Sequence, residues 1–245
     1  VVIMKGVILA GGKGTRLLPI TKVVDKNLLP VYDQPVIYYP LKALKKAGIK
    51  DILIVTSPQF ADSFKEILDH GKELDLNLSY TVQKEAGGIA HALALAEEFA
   101  AGEKIAVLLS DNIFKDNLKN DVKDFENTGT GAKIFLKEVP DPERFGIAEL
   151  DSNKVIKIEE KPRNPKTNYA VTGIYFYDRK VFEIIKTIKP SERGELEITD
   201  VNNIYVKNGE MQSRILESFW IDAGTFPSLA HATELVREAK EKNSF

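Results

Sequence analysis

The feature that most constrains the fold is a set of short, continuous apolar runs separated by longer amphipathic stretches. Residues 7–10, 51–56 and 105–109 are mostly apolar and are bounded by Gly, Pro or Asp. Strands without polar alternation are buried on both faces, as in a parallel sheet that helices cover on each side. Between the first two runs, apolar side chains recur at helical spacing and stop at Gly48, a position that favours a helix C-cap. The first half of the chain is therefore predicted to be a doubly wound, Rossmann-like α/β fold.

The second half of the chain differs because its predicted strands follow one another closely. This spacing indicates antiparallel additions to the same sheet, so that the sheet is mixed and residues 1–245 form a single domain. The predicted strands cover residues 132–139, 147–150, 155–158 and 169–177, and helices are predicted at 196–207 and 225–240. Thr225 is a credible N-cap for the last helix, and Pro227 lies in its first turn.

Composition narrows the classes of function. The chain has 34 basic and 36 acidic residues, whereas a protein that binds polymeric phosphate normally carries a basic surplus, so nucleic-acid binding is disfavoured. It has no cysteine, which excludes disulfides, thiolate zinc sites and cysteine nucleophiles. Since no run of about 18 apolar residues occurs and the start lacks the pattern of a signal peptide, we expect no membrane span and a cytoplasmic protein.

A glycine-rich segment directly follows the first apolar run. Residues 9–17 contain three glycines that allow backbone N–H groups to approach a phosphate closely, and Lys13 and Arg16 add positive charge. The segment lacks the third glycine of the dinucleotide-binding fingerprint, because Leu17 stands there, and it is not a P-loop. We therefore expect a phosphate site of another kind, with an ordinary tight turn as the alternative.

Two aspartates stand where apolar strands end. Asp111 follows the run at 105–109, and Asp222 follows a second run at 219–221. In an open α/β sheet, ligands bind at the carboxyl ends of strands. Two carboxylates there suit Mg²⁺, which needs only one or two beside the phosphates of a substrate. Each aspartate taken alone is more often a turn or cap residue, so the shared metal is a hypothesis about the pair.

Further segments extend this interpretation over nearly the whole chain. After the glycine-rich loop, they are residues 26–31, 37–41, 110–114, 160–162, 168–178, 193–200 and 220–225. In this order the segments resemble the glucose-1-phosphate thymidylyltransferase family of the sugar nucleotidyltransferase superfamily. The glycine-rich loop alone marks the superfamily, whereas residues 168–178 and 193–200 resemble the thymidylyl branch.

This resemblance implies a fold, a reaction and a cofactor. The fold would be that of the nucleotide-diphospho-sugar transferases, with a nucleotide-binding half over about 1–130 and a sugar-phosphate-binding half with the C-terminal helix over about 131–245. The reaction would convert dTTP and α-D-glucose 1-phosphate to dTDP-glucose and pyrophosphate with Mg²⁺, in a homo-oligomer. The sugar phosphate is already an oxyanion nucleophile, so the protein has only to align it with the α-phosphorus and neutralise charge.

The resemblance also implies roles for individual charged residues. Arg16 would stabilise the departing pyrophosphate, and Lys26 would contact the phosphate that is attacked. Lys161 would hold the phosphate of glucose 1-phosphate. Asp111 and Asp222 would hold the metal ion.

The remaining implied roles concern binding of the base, the nucleotide and the sugar. Gln83 and the backbone of Gly88 would recognise the base, because an amide offers a donor and an acceptor to the O4/N3–H edge of thymine. Without the resemblance, Gln83 is more simply a polar residue at a strand end. Further nucleotide-binding positions are Leu9, Gly11, Gly12, Gly14 and Thr15, and further sugar-phosphate-binding positions are Asn112, Gly146, Glu160 and Val171.

Some positions depart from the pattern of the longer bacterial members. The substitutions are Asn27 for Gln, Ser110 for Gly, His91 for Gln and Phe145 for Tyr. Residues 85–90 and the end at Phe245 resemble a short form of the family, for which we expect weaker feedback by dTDP-rhamnose.

The sequence is also compatible with other functions. One is a nucleotidyltransferase that uses UTP or another sugar phosphate, and another is a non-catalytic homologue that binds sugar nucleotides for regulation. Arg16, Lys26 and the two aspartates occur together, which argues against the non-catalytic homologue. The missing third glycine argues against a nicotinamide dehydrogenase.

Overall fold

The computed structural model describes residues 3–127, 129–242 and 245. Its strands are β1 (Lys5–Ala10), β2 (Pro30–Val31), β3 (Gln34–Pro35), β4 (Asp51–Thr56), β5 (Asn77–Val82), β6 (Ile105–Leu109), β7 (Asn112–Phe114), β8 (Ala132–Glu138), β9 (Gly146–Asp151), β10 (Lys154–Glu160), β11 (Tyr169–Tyr177), β12 (Met211–Ile215) and β13 (Trp220–Asp222). Its helices are α1 (Tyr38–Lys46), α2 (Ala61–Leu68), α3 (Ile89–Ala94), α4 (Glu97–Ala100), α5 (Lys119–Asn127), α6 (Lys180–Ile185), α7 (Ile198–Lys207) and α8 (Phe226–Glu241).

Within the described part of the chain, nine strands form one mixed sheet that contains residues from both halves. β5, β4, β1 and β6 are neighbours in that order and run parallel. β11 pairs with β6 in the antiparallel direction and joins β9 and β10 on one side and β8 with β12 on the other. The predicted doubly wound α/β fold with antiparallel additions is confirmed.

Both faces of the sheet are buried, as the continuous apolar runs predict. In β1, Val7 and Leu9 pack on the face that α3, α6 and α7 cover. Ile8 and Ala10 pack on the opposite face, under α1, α2 and α5. Because successive strand residues point to opposite faces, an apolar residue at every position requires cover on both sides. This packing fixes the carboxyl ends of β1 and β6, where the cleft described below begins.

The helix ends follow their predicted signals with one exception. The Thr225 side chain accepts from the Ser228 backbone N–H and Ser228 caps in return, so α8 begins where the sequence predicts. α7 begins at Ile198 rather than at residue 196, because Leu196 donates its N–H to Gly87 O and accepts from Ala90 N–H instead. No helix in the described ranges is long and apolar enough to cross a membrane.

Candidate active site

A cleft runs along the carboxyl ends of β1 and β6 and consists of three adjoining cavities. The largest has a volume of about 600 Å³ and shares Leu109 and Asp111 with a second of about 220 Å³. The second shares Gly11 and Gln83 with a third of about 480 Å³. The segments that resemble nucleotide-binding and sugar-binding motifs therefore line one connected space.

The glycine-rich loop forms one wall of this cleft. Gly12 has a φ of 109°, a conformation that side chains rarely adopt, and a Cβ there would have nothing within 4 Å, so its backbone faces open space. Gly14 follows with a φ of 58° and precedes a 3₁₀ turn, Thr15–Leu17, whose Leu17 is buried. Thr21 Oγ1 donates to Gly14 O at 2.8 Å and holds the turn. The loop thus exposes backbone to the cleft, as a phosphate site requires.

Two ion pairs meet where the cavities join. Lys26 Nζ lies 2.5 Å from Asp111 Oδ2, and these side chains are only 16% and 11% exposed. Arg16 Nη2 lies 3.7 Å from Asp222 Oδ2, with Arg16 half-exposed. The structure therefore brings together the four charged residues that the sequence placed at one site.

Burial and neighbouring charges shift the pKa values of three of these groups. Burial acts to raise the pKa of Asp111, but Lys26 and, more weakly, Arg16 hold it below its usual value. Burial acts to lower the pKa of Lys26, but the Asp111 charge and hydrogen bond keep it above its usual value. Burial and the charge of Asp111 together raise the pKa of Asp222. Such a set of opposed shifts in a cleft is typical of functional sites.

A buried hydrogen-bond network fixes the position of Lys26. Asp25 Oδ1 accepts from the Asn27 backbone N–H at 2.9 Å and from Asn27 Nδ2 at 2.7 Å, and so caps the turn Lys26–Leu28. Ser110 Oγ lies 2.8 Å from Asn27 Oδ1 and 2.8 Å from Leu9 O. The network ties the turn to the ends of β1 and β6, so the ammonium group is held against Asp111.

The second carboxylate is positioned by a short antiparallel ladder. Asp222 in β13 lies directly opposite Asn112 in β7, so their side chains share one face. Gly224 N–H donates to Asp222 Oδ1 at 2.9 Å. Asn112 Nδ2 donates to Asp111 Oδ1 at 3.0 Å, while Asn112 Oδ1 is buried without a hydrogen-bond partner among the described residues.

These oxygens fit a hard divalent cation. Two carboxylates and an unpartnered amide oxygen lie together beside the glycine-rich loop, and oxygen ligands are those that Mg²⁺ prefers. The described residues contain no group of three or more His, Cys, Asp or Glu side chains that would hold a metal alone. The arrangement therefore suits Mg²⁺ that is also held by the phosphates of a substrate.

The largest of the three cavities is lined mostly by residues from the second half of the chain. Gly146 and Glu160 are direct partners across the β9–β10 ladder, and Lys161 follows with its N–H donating to Phe145 O at 2.9 Å. Lys161 Nζ lies 3.7 Å from Glu160 Oε1. Val171 lines the same cavity, at an irregularity in β11 where the pairing register shifts. All of the predicted sugar-phosphate-binding residues, including Asn112, thus border one cavity.

Several lining residues were not predicted from the sequence. Thr199 Oγ1 donates to Glu160 Oε2 at 2.7 Å and orients that carboxylate. Trp220 Nε1 donates to Thr172 O at 2.9 Å, and its ring meets that of Phe145 edge-to-face at 5.4 Å. Thr199 and Trp220 both lie in segments that support the family resemblance, but which side chains they contact depends on pairing between distant strands.

The base-recognition candidates lie on the other side of the loop. Gln83 follows β5 directly and is 9% exposed. Its Nε2 donates to Gly88 O at 3.3 Å, and Gly88 precedes α3. Both residues line the 220 Å³ cavity with Leu9, Gly11 and Gly12. The structure therefore places these five predicted residues around one space, whereas Thr15 lines the adjoining 480 Å³ cavity and Gly14 borders none of the three cavities.

Comparison with known proteins agrees with this arrangement. The sequence profile of the nucleotidyl transferase family matches residues 5–239, and the chain belongs to this family. It is 47% identical over 238 residues to a glucose-1-phosphate thymidylyltransferase of Neisseria meningitidis serogroup A / serotype 4A, which covers 96% of this chain and 83% of that protein. The resemblance predicted from the sequence is confirmed.

Solved structures support the same assignment. A 2.76 Å crystal structure from Bacillus anthracis, assigned as a glucose-1-phosphate thymidylyltransferase and complexed with sucrose, is 50% identical, with a TM-score of 0.92 over 96% of each chain. A UDP-glucose pyrophosphorylase complexed with UDP-glucose is 26% identical, with a TM-score of 0.85 over 96% of this chain and 99% of that chain.

Proposed function

We propose that this protein transfers the thymidylyl group of dTTP to α-D-glucose 1-phosphate and releases dTDP-glucose and pyrophosphate. The observation that carries this proposal is the pair of ion pairs, Lys26 with Asp111 and Arg16 with Asp222, at the junction of the loop-lined cavities and the 600 Å³ cavity. The relatives named glucose-1-phosphate thymidylyltransferase support the choice of substrates.

The residues that line the cavities support a position for each substrate. The triphosphate of dTTP would lie along the glycine-rich loop, whose backbone faces the cleft, with its base against Gln83. Glucose 1-phosphate would occupy the 600 Å³ cavity, with its phosphate near Lys161 and its hydroxyls near Glu160. Both reacting groups would then face Lys26 and Arg16.

The chemistry needs alignment and positive charge more than it needs an acid or a base. A phosphate oxygen of glucose 1-phosphate forms a bond to the α-phosphorus of dTTP, and the bond from that phosphorus to the bridging oxygen of pyrophosphate breaks. The nucleophile is already an anion, so no proton has to be removed. Lys26 would neutralise charge on the attacked phosphate and Arg16 charge on the leaving group, in a partly buried site where such interactions are strong.

Mg²⁺ fits the oxygen donors at this site. Asp111 and Asp222 would hold it, and it would supply further positive charge to the nucleotide phosphates when bound. The raised pKa of Asp222 indicates a carboxylate whose charge is not fully compensated by the protein alone. The resemblance further implies a homo-oligomer, which light scattering coupled to size-exclusion chromatography would test.

Pyrophosphate release tests the proposed reaction. We expect release only when a nucleotide, glucose 1-phosphate and Mg²⁺ are all present, with dTTP as a substrate. Asp111→Asn and Asp222→Asn should each lower turnover by about 100-fold or more with the fold intact. Asp75→Asn is the matched control, because Asp75 is an exposed aspartate paired with two surface lysines, and it should keep full activity.

Three outcomes would contradict the proposal. Near-normal rates in EDTA would exclude the metal. A much higher kcat/KM with UTP than with dTTP would favour the alternative of a UTP-using enzyme. Sugar-nucleotide binding without any pyrophosphate release would favour a non-catalytic homologue.

A further inference from the structure

We infer that His91 is a positioning residue that selects the base of the nucleotide by fixing the orientation of the Gln83 side-chain amide. The inference rests on the proposed function, because it concerns the base of the nucleotide substrate. It depends on a contact that neither the sequence nor the relatives assign, in which His91 Nδ1 lies 3.1 Å from Gln83 Nε2.

The surroundings of Gln83 identify which end of its amide is the NH₂ group. Nε2 lies 3.3 Å from Gly88 O, and a backbone carbonyl can only accept a hydrogen bond. The atom facing Gly88 O is therefore the nitrogen. Its second N–H is directed to His91 Nδ1, so both amide protons are used within the protein. Only Oε1 of Gln83 remains for a ligand.

The same geometry assigns the tautomer of His91. Gln83 Nε2 carries two hydrogens and has no lone pair to offer, so His91 Nδ1 must accept. A neutral imidazole that accepts at Nδ1 carries its proton on Nε2. His91 thus acts as an acceptor that holds the amide in one of its two possible orientations.

Two glycines leave the space that the ring and the amide occupy. A Cβ at Gly87 would lie 2.3 Å from His91 Nδ1, so any side chain at this position would displace the ring. A Cβ at Gly11 would lie 2.8 Å from Gln83 Oε1. Since Gly11 lines two of the cavities, the absence of a side chain there leaves Oε1 open to the cleft.

An acceptor that faces the cleft at this point selects the pyrimidines that carry a hydrogen on N3. Thymine and uracil present N3–H, which donates to Gln83 Oε1, whereas cytosine presents an unprotonated N3 that repels it. Without His91, one amide N–H loses its partner, and only the 3.3 Å hydrogen bond to Gly88 O still favours the original orientation. The amide then rotates more readily, so that Nε2 faces the base in a larger share of the molecules. In the wild type, Gln83 therefore offers thymine an acceptor but no donor, because both of its N–H groups are already used. The expectation that Gln83 offers both is modified accordingly.

The test compares kcat/KM for dTTP and for dCTP in the wild type, His91→Leu and His91→Gln. In His91→Leu we expect the preference for dTTP over dCTP to fall by about 10-fold or more, with kcat for dTTP within about 2-fold, because the loss lies in recognition. In His91→Gln the side-chain oxygen can accept from Gln83, and the preference should return to within about 3-fold of wild type. His231→Leu, at an exposed histidine on α8, is the control.

A merely structural role for His91 would lower kcat/KM for both nucleotides equally and leave the preference unchanged, and that result would overturn the inference. Gly87→Ala provides an independent route to the same defect, since it displaces the ring without changing His91. An unchanged preference in Gly87→Ala would likewise contradict the proposed contact.

The ¹⁵N NMR spectrum of the imidazoles tests the same contact without turnover. We expect His91 in the Nε2–H tautomer in the free protein, with its resonance assigned by its loss in His91→Gln. An Nδ1–H tautomer would overturn the inference. A wild type that turns over neither nucleotide would contradict the proposed function, while the tautomer would still decide the role of His91.

Discussion

Replacing Lys26 by methionine separates the contribution of the Lys26–Asp111 pair to stability from its contribution to catalysis. Methionine keeps the length of the side chain but removes its charge and its hydrogen bond. Nζ and Oδ2 are 2.5 Å apart, and both side chains are more than 80% buried. Since Lys26 holds the pKa of Asp111 below its usual value against the effect of burial, Asp111 is left buried and unpaired in the variant.

The magnitude follows from this geometry. Removing one partner of a buried ion pair costs about 3–5 kcal/mol, because the other charge stays desolvated. Replacing both partners by neutral groups is often close to neutral. We therefore expect Lys26→Met to lose about 3 kcal/mol or more, and the double variant with Asp111→Asn to recover most of that loss. Turnover should stay at least about 100-fold below wild type in both variants.

Urea unfolding at neutral pH measures the stability, and pyrophosphate release measures the turnover. Asp111 has a lowered pKa, so its stabilising contribution is present above the usual aspartate value of 3.8 and is lost as pH falls through the lowered value. The difference between wild type and Lys26→Met should therefore shrink in acid. Lys50→Met, which breaks an exposed pair with Asp75, should leave stability unchanged.

A Lys26→Met variant that is as stable as wild type would show that Asp111 tolerates burial without its partner, contrary to this prediction. A double variant that is no more stable than the single one would show that the unpaired Asp111 charge is not the cause of the loss. Normal turnover in either variant would show that Lys26 serves the fold alone.

Three further substitutions test other parts of the site. Asp222→Asn should abolish activity but stabilise the fold at neutral pH by roughly 0.5–2 kcal/mol, measured as a higher melting temperature. The charge of Asp222 is costly in the wild type because burial and a neighbouring carboxylate raise its pKa. That gain should disappear as pH falls through the raised pKa towards 3.8, where wild-type Asp222 is protonated, and a gain that persists there would contradict this cause. Ser110→Ala should lower the free energy of unfolding in urea by about 1–3 kcal/mol, because residue 110 is 1% exposed and the substitution leaves Asn27 Oδ1 without its donor. An unchanged free energy would show that water replaces the hydroxyl. Thr199→Val should raise KM for glucose 1-phosphate by about 5–20-fold with little change in KM for dTTP, because Glu160 loses the hydroxyl that orients it. Equal changes in the two KM values would contradict a role confined to the sugar.

The sequence predicts the parts of the structure that depend on local patterns. Continuous apolar runs predict β1, β4 and β6 because two-sided burial leaves no polar position. Asp111 and Asp222 were found because ligands bind at strand ends, and the ladder between β7 and β13 brings those two ends together. Local patterns did not predict β12, because this half-exposed strand has few apolar residues.

The parts that could not be predicted are contacts between distant segments. Asn27 and Ser110 were two separate departures from the family pattern, yet in the structure Ser110 Oγ lies 2.8 Å from Asn27 Oδ1. The pairing of His91 with Gln83 depends on how α3 packs beside the end of β5. Spacing along the chain carries no information on such contacts, because they are set by the register of the sheet and the packing of helices on it.

The central claim is that the sugar phosphate attacks the α-phosphorus of dTTP directly. The configuration at this phosphorus, measured with a single diastereomer of the α-thio analogue of dTTP and glucose 1-phosphate, tests the claim. A single in-line displacement, in which the cleft only aligns two bound substrates, predicts inversion of configuration in the product. Retention would require two displacements through a covalent enzyme–nucleotide intermediate, and it would contradict the account.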